Sequence, residues 1–281
     1  MLENTRFHEE EKKNDKNFAK KLASYADLFV SDAFGTVHRA HASTEGVTHH
    51  LDSYAGFLIE KEVEALTPLL GKVDRPFVLL LGGAKIDTKI GVIKAYINKA
   101  DKILLGGGLA NTFVAAQGFD VGQSLYEEDK LDVAREIMLE AEKSGCEIIL
   151  PGGFIVADEI GDNVLTADME VTGIEANMKM LDIGVRSLNK FAGILEEAKT
   201  IIWNGPVGLY EKKPFERGTR ELAEILSEVK GKTYLGGGDT LSALKHFGIK
   251  PDKFTHVSTG GGAMLELLEG KKLPGLKVLT S

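Results

Sequence analysis

The sequence predicts an α/β protein whose larger part is a parallel, doubly wound sheet. Two observations carry that prediction. From Phe77 onward, short apolar runs alternate with amphipathic helical segments, the order that builds parallel strands joined by crossover helices. A glycine cluster follows each run: Gly82-Gly83, Gly106-Gly107-Gly108, Gly152-Gly153, Gly205 with Gly208, Gly236-Gly237-Gly238 and Gly260-Gly261-Gly262. Parallel strands all point one way, so these loops are expected along one carboxyl edge, where open α/β sheets take their ligands. Glycine turns also arise for purely steric reasons, but six on one edge favour a phosphate or nucleotide site.

In order along the chain, residues 2–7 read as the end of a strand. The charge run from His8 to Asp15 is expected as a solvated loop, with Asp15 placed to cap a helix carrying Phe18, Leu22 and Tyr25 on one face. Leu28-Phe29-Val30 reads as a short buried strand, and the stretch from Asp32 to His41 behind it is too polar for core. A helix over residues 57–70 closes at Gly71, and Asp74-Arg75-Pro76 is the strongest boundary signal in the chain. Beyond it, strands are expected over 77–81, 102–105, 147–150, 200–203, 233–235 and 256–258. The helices between them include 109–116, 131–141, 188–195 and 222–229.

Composition narrows the partners. The 281 residues are 43% apolar and 27% charged, ordinary for a globular chain, and the net charge of −8 argues against a general nucleic-acid or anionic-membrane surface. An anionic ligand must therefore meet a local positive cluster. The single cysteine, Cys146, excludes an internal disulfide and reads as an inert core thiol. No apolar run is long enough to span a membrane and no apolar leader opens the chain, so a cytoplasmic location is expected.

The stretch Leu81-Gly82-Gly83-Ala84-Lys85-Ile86-Asp87-Thr88-Lys89 reads as strand, glycine turn and helix start. Two lysines four apart would share a face of the helix's first turn, where the positive end of the helix dipole disfavours them. Glycine-exposed amides, a helix N-terminus and two ammonium groups suit a phosphate; a tight turn with two solvated lysines is the alternative. No Walker pattern Gly-x-x-x-x-Gly-Lys-Ser/Thr is present. The dinucleotide pattern Gly-x-Gly-x-x-Gly fails at Asn111, Leu241 and Leu265, which weakens a dehydrogenase reading. Phosphoryl transfer remains, in which catalysis is mostly positioning and charge neutralisation. In that chemistry Lys85 and Lys89 hold phosphate oxygens, and Asp239 either holds Mg²⁺ or caps a helix. Glu211 either accepts from ribose hydroxyls or is a surface acid, and the triple glycine around Gly261 offers bare amides to a transferring phosphoryl group. Arg6, His38, Arg39 and His41 form a second positive cluster, an anion site or a set of ion pairs with Glu9, Glu10 and Glu11. His8, His49 and His50 lack metal-ligand spacing.

Eight segments then resemble the phosphoglycerate kinase family, in that family's order and over nearly the whole chain. They are Leu2-Glu3-Asn4-Thr5-Arg6-Phe7-His8-Glu9-Glu10, Asp32-Ala33-Phe34-Gly35-Thr36, His38-Arg39-Ala40-His41, residues 81–89, 106–113, 203–208, 236–240 and 258–263. The resemblance implies phosphoryl transfer between 1,3-bisphosphoglycerate and ADP, giving 3-phosphoglycerate and ATP in glycolysis, with Mg²⁺ accompanying the nucleotide. It implies that Arg6 and Arg39 bind the glycerate substrate. Lys85 would follow the transferring group, with Gly261 beside it. Lys89, Asn204, Glu211, Gly237, Gly238, Asp239 and Thr240 would bind the nucleotide, Asp239 also serving the metal. It further implies two lobes closing on a hinge after the 57–70 helix.

The expected organisation is a partial substrate domain with an interdomain helix (1–73), a Rossmann-like nucleotide domain (74–265) and a C-terminal tail (266–281). By the resemblance, the chain starts well into the family's N-terminal lobe, without an Asp-x-Asn segment, a His-x-x-Arg segment and an arginine for the transferred group. The remaining lobe is therefore expected to expose apolar surface, and the chain alone to be poorly active. The competing expectation is a non-catalytic nucleotide binder, or a fragment completed by a second chain; otherwise the family suggests a monomer. Lys179-Met180-Leu181-Asp182 replaces the usual Gly-Leu-Asp, Pro151-Gly152-Gly153 the usual Pro-Val-Asp, and Val185 the usual Pro.

Overall fold

Asp15 starts a helix where the sequence places one. Its carboxylate accepts the Phe18 N–H at 2.9 Å, and helix α2 (Lys16–Ala23) follows the single turn of α1 (Glu9–Lys12). Strand β1 (Leu28–Ser31) pairs in parallel with β2 (Asp52–Ala55). Helix α3 (Phe57–Leu66) continues as a 3₁₀ turn to Leu70 and ends at Gly71. The computed structural model describes residues 1–279. It divides into Met1–Lys72 joined by the segment from Thr259 on, and Val73–Ser258.

The first unit departs from expectation at three points. The run from His8 to Asp15 is not a solvated loop, since Glu9–Lys12 is helical and Glu11 is buried within it. Residues 2–7 are not a strand end: the Asn4 side chain takes the Arg6 N–H at 3.0 Å and Thr5–Phe7 turns into 3₁₀. Strand β1 is not buried either. Leu28 and Val30 are 53% and 51% exposed, because a two-stranded sheet covered on one face leaves alternate residues in solvent.

In the second unit the order of elements is strictly α/β at first. It runs β3 (Phe77–Leu81), α4 (Ile90–Tyr96), β4 (Lys102–Leu105), α5 (Gly107–Ala116), α6 (Leu131–Ser144) and β5 (Glu147–Ile149). The chain then inserts β6 (Gly153–Ala157), β7 (Ala167–Glu170) and β8 (Lys179–Ile183). It resumes with α7 (Val185–Glu197), β9 (Thr200–Asn204), α8 (Arg217–Leu226), β10 (Lys232–Leu235), α9 (Gly238–His246) and β11 (His256–Val257). The main sheet is parallel throughout, in the order β11-β10-β9-β3-β4-β5. Every residue of β3 and of β9 is buried. Side-chain alternation sorts them: Val78, Leu80, Ile201 and Trp203 pack with Phe191 and Leu195 of α7 and Leu222 of α8. Phe77 faces the other way and meets Tyr96 of α4 edge-on at 5.6 Å. Helices on both faces make the sheet doubly wound.

The inserted strands form a separate antiparallel sheet, β7-β6-β8, over its own small core of Val114, Phe154, Val156 and Met180. The sequence reading expected a strand–glycine–helix unit there; Pro151-Gly152-Gly153 leads into β6 instead. Val185 uses a group that a proline would lack, its N–H reaching Asp168 Oδ2 at 3.0 Å.

The segment from Thr259 on carries α10 (Gly261–Leu268) and α11 (Pro274–Lys277) and belongs with the first unit. The expected boundary at residue 265 falls inside α10. The cause is a set of close contacts: Thr259 donates its N–H and its hydroxyl to Glu62 Oε1 at 2.7 and 2.8 Å. Gly260 lies against the Gly35 backbone, and Gly275 against that of Val37. Of the expected tail, residues 280 and 281 lie outside the described residues.

Candidate functional site

The main sheet changes winding direction between β3 and β9. From β3 the chain proceeds through β4 to β5 on one side, then returns to build β9, β10 and β11 on the other. The loops leaving β3 and β9 diverge at such a switch point and open a crevice beyond the strand carboxyl ends. Here they touch before diverging: Gly83 N–H donates to Pro206 O at 2.8 Å, and a Cβ on either Gly82 or Gly205 would overlap the opposing backbone. A cleft of ≈ 580 Å³ opens above them. Its lining includes Gly83, Gly107, Gly108 and Asp239 together with Leu125, Met180, Leu181, Leu209 and Glu211.

The two lysines do not share a helical face as the sequence reading expected. Helix α4 begins only at Ile90; residues 85–89 form an irregular turn in which Ile90 N–H and Lys89 N–H both reach Ile86 O. The Ile86 N–H donates to Glu127 Oε2, and Lys130 pairs with Asp87 at 2.9 Å, so the turn is pinned from outside. Lys85 is exposed, whereas Lys89 caps α4 and is 8% exposed. The Lys89 ammonium donates to Asn204 Oδ1, and Asn204 Nδ2 donates to Gly236 O at 2.7 Å. Burial pushes the Lys89 ammonium down to about 8, against the pull of the Asp239 carboxylate.

Asp239 is exposed in the first turn of α9, and Gly237 ahead of it has a φ of 106°, which only glycine adopts readily. Thr240, in the same first turn, is fully buried. Its hydroxyl accepts the Gly205 N–H at 2.7 Å and donates to Gly236 O at 3.0 Å, so it fastens two glycine loops together. Glu211 is exposed at the cleft.

In the first unit the basic cluster forms. The imidazole of His41 is held below its ordinary value first by burial and then by Arg6, with Arg39 and His38 adding to the effect and Glu11 opposing it. Of the acids expected to pair with the cluster, Glu9 pairs with Lys13 at 2.7 Å, and Glu11, while acting on His41, accepts the N–H and hydroxyl of Ser43 at 3.0 and 2.6 Å. Nδ1 of both His38 and His41 is buried without a partner among the described residues. Gly261 opens α10, and a Cβ on the neighbouring Gly262 would stand 3.5 Å from His38 Nε2. The triple glycine thus adjoins the basic cluster, inside the first unit, whereas the sequence reading had grouped it with the nucleotide domain. Cys146 is buried and its thiol pushed up to about 11, first by burial, as an inert core thiol requires.

The sequence reading missed Glu127 and Lys130, which set the lysine turn, and Asp182, which it quoted without a role. Their only signal was charge, Glu127 and Lys130 at either end of a 3₁₀ turn and Asp182 between Leu181 and Ile183 of β8. Among the described residues no helix is long and apolar enough to cross a membrane.

The switch-point cleft, its glycine loops and the buried Lys89 belong to a doubly wound α/β protein. The phosphoglycerate kinase family model matches residues 1–271, and the chain belongs to that family. It is 49% identical over 279 residues to the phosphoglycerate kinase of Pelotomaculum thermopropionicum, covering 99% of this chain and 71% of that one. The enzyme of Dictyoglomus turgidum is also 49% identical, over 280 residues, 99% of this chain and 70% of that protein. Among solved structures, the phosphoglycerate kinase of Coxiella burnetii superposes with a TM-score of 0.89 at 40% identity, over 98% of this chain and 71% of that one. That of Pyrococcus horikoshii gives 0.86 at 33% identity, over 99% and 71%.

Proposed function

We propose that this protein is a phosphotransferase that moves a phosphoryl group from 1,3-bisphosphoglycerate to ADP, reversibly, with a carboxyl group as acceptor in the reverse direction. What chiefly supports this reading is the convergence of Lys89, Asn204 and Asp239 with glycine backbone at the switch point, in a chain of this family. Lys89 binds the nucleotide phosphates from its buried position. Glu211 accepts from the ribose, and Gly237 and Gly238 present backbone to the phosphates while Thr240 and Asn204 hold the loops. Lys85, on the exposed side of the pinned turn, follows the group in transit. Arg6 and Arg39 take the glycerate substrate, and Gly261, at the start of α10, offers its amide to the transferring phosphoryl group.

Asp239 fits Mg²⁺ in the way Mg²⁺ is usually held beside nucleotides, by one carboxylate with phosphates and water completing the shell. Among the described residues no three acidic, histidine or cysteine side chains gather in one place. The ion supplies charge neutralisation of the phosphates.

The test is a coupled assay for ATP from 1,3-bisphosphoglycerate and ADP, beside a calorimetric titration with ADP. Nucleotide binding is expected; a folded chain that neither binds ADP nor turns over would sink the proposal.

A second reading is favoured by one observation. The first unit exposes Leu28, Val30 and Tyr54 on one face of β1–β2, together with Phe7 and Phe57. A surface of this kind suits a polypeptide that completes the unit, and in that case the chain alone turns over poorly. Turnover at an ordinary rate by the chain alone would remove this reading.

A further inference from the structure

Asp182 is the fully desolvated carboxylate of the second unit, 2% exposed at the end of β8, and no cation pairs with it among the described residues. A buried charge without a counter-charge is costly, so the groups that hold it define its task. Oδ2 accepts the Gly218 N–H at 2.7 Å and Oδ1 the Ile183 N–H at 2.9 Å. Gly208 and Gly218 both give way to the same carboxylate: a Cβ on either would overlap Oδ1. One side chain therefore sits where three segments meet. The first is β8, whose Met180 and Leu181 line the cleft. The second is the loop carrying Gly208, Leu209 and Glu211, which lines it from another side. The third is the start of α8, which stands outside the cleft lining. Two further bonds join the same three pieces, Leu209 N–H to Leu181 O at 2.8 Å and Val207 N–H to Thr219 Oγ1 at 3.2 Å.

We propose that Asp182 is a positioning residue. It fixes the β8 wall and the Gly208–Glu211 wall of the cleft to the start of α8, and so sets how tightly the base-and-ribose end holds ADP. The proposal rests on the nucleotide reading of the cleft. An apolar residue would fill the space at lower cost, but it would leave the Gly218 N–H buried and unanswered and the loop without an anchor. The carboxyl itself is pushed up to about 7 by burial, against the two N–H groups that pull it down; Glu221 adds to the rise and Arg217 opposes it. Above that value the ionised form, which accepts both bonds, predominates.

The experiment is calorimetric titration of the full chain at pH 8, with ADP and separately with tripolyphosphate, for wild type and Asp182→Asn. Tripolyphosphate probes the glycine loops and Lys89 without the base-and-ribose end. Asp182→Asn is expected to weaken ADP about tenfold, the worth of one charge-assisted hydrogen bond, while tripolyphosphate changes less than about twofold. Unchanged ADP affinity overturns the proposal. Equal weakening of both ligands assigns Asp182 to folding alone and overturns it too. Failure of the wild type to bind ADP would instead remove the nucleotide reading on which it rests. Should the variant not fold, amide exchange in the wild type decides. On adding ADP the Gly218 and Leu209 N–H groups should slow together, and Gly218 unchanged while Leu209 slows excludes the coupling.

Discussion

Strands β1 and β3 are both short, apolar and paired in parallel, yet they end in opposite environments. β3 has a strand on each side and helices on both faces, and none of its five residues is exposed. β1 has one neighbour and one covered face, which leaves Leu28 and Val30 half in solvent. The difference lies in the cover each strand receives, which a window of four residues does not encode. The same contrast runs through the two candidate ligand sites. The cleft of the second unit is set by loops that interlock backbone to backbone, whereas the cluster of the first is made of side chains on turns and on exposed 3₁₀ segments.

The largest effect should come from the covered side. Phe191→Ala removes a fully buried ring from the layer against Val78, Leu80 and Trp203, and should cost about 3–5 kcal/mol. Trp203, the one tryptophan of the chain, reports the unfolding of that unit by its fluorescence. A loss below ~1 kcal/mol would mean that this layer is not the tight core its burial indicates.

That contrast explains what could be read from the sequence. The alternation of apolar runs and glycine clusters gave the parallel sheet, its loops, the cleft-lining residues Glu211 and Asp239 and the buried pair Lys89 and Asn204, because strand and turn chemistry are local. The antiparallel β6–β8 insertion was missed because Gly153 to Ala157 follows the same apolar-strand pattern as its parallel neighbours. The place of Thr259 onward was missed because Glu62, its partner, lies far away in sequence. The shared helical face assigned to Lys85 and Lys89 was wrong, since Glu127 and Lys130 hold that turn open from a distant loop.

The two lysines separate the exposed from the buried within one turn. In the coupled assay Lys85→Ala should lower turnover on the order of 10²-fold, as loss of a group acting on developing charge does, with ADP affinity little changed. Lys89→Met should weaken ADP and behave in the opposite way toward stability. The Lys89 ammonium ordinarily titrates near 10.5 and in the folded protein near 8, so the unfolded chain binds more protons between those values. Wild-type stability therefore rises from pH 8 to about 10.5. At pH 7 Lys89→Met should be the more stable protein, by on the order of 1–3 kcal/mol, an advantage that fades by about pH 10.5. Urea melts at pH 7 and 10.5 measure it; a variant less stable at pH 7 would show that the bond to Asn204 outweighs desolvation.

The smallest effect is the most direct test of what covers β1. Val30 stands beside Tyr54 on the exposed face of the two-stranded sheet. Threonine has nearly the shape of valine and the same β-branch, so Val30→Thr changes polarity while leaving strand propensity and volume close to constant. In a buried setting the added hydroxyl would lack a partner and cost energy; on an open face it hydrates. The expected change in stability is therefore within about 0.5 kcal/mol, with reduced self-association by light scattering at high concentration. If a polypeptide completes the first unit, the outcome reverses on mixing. With the partner bound, Val30→Thr should weaken the complex by about 1 kcal/mol or more while leaving the isolated chain unaffected, because only then is the hydroxyl removed from water.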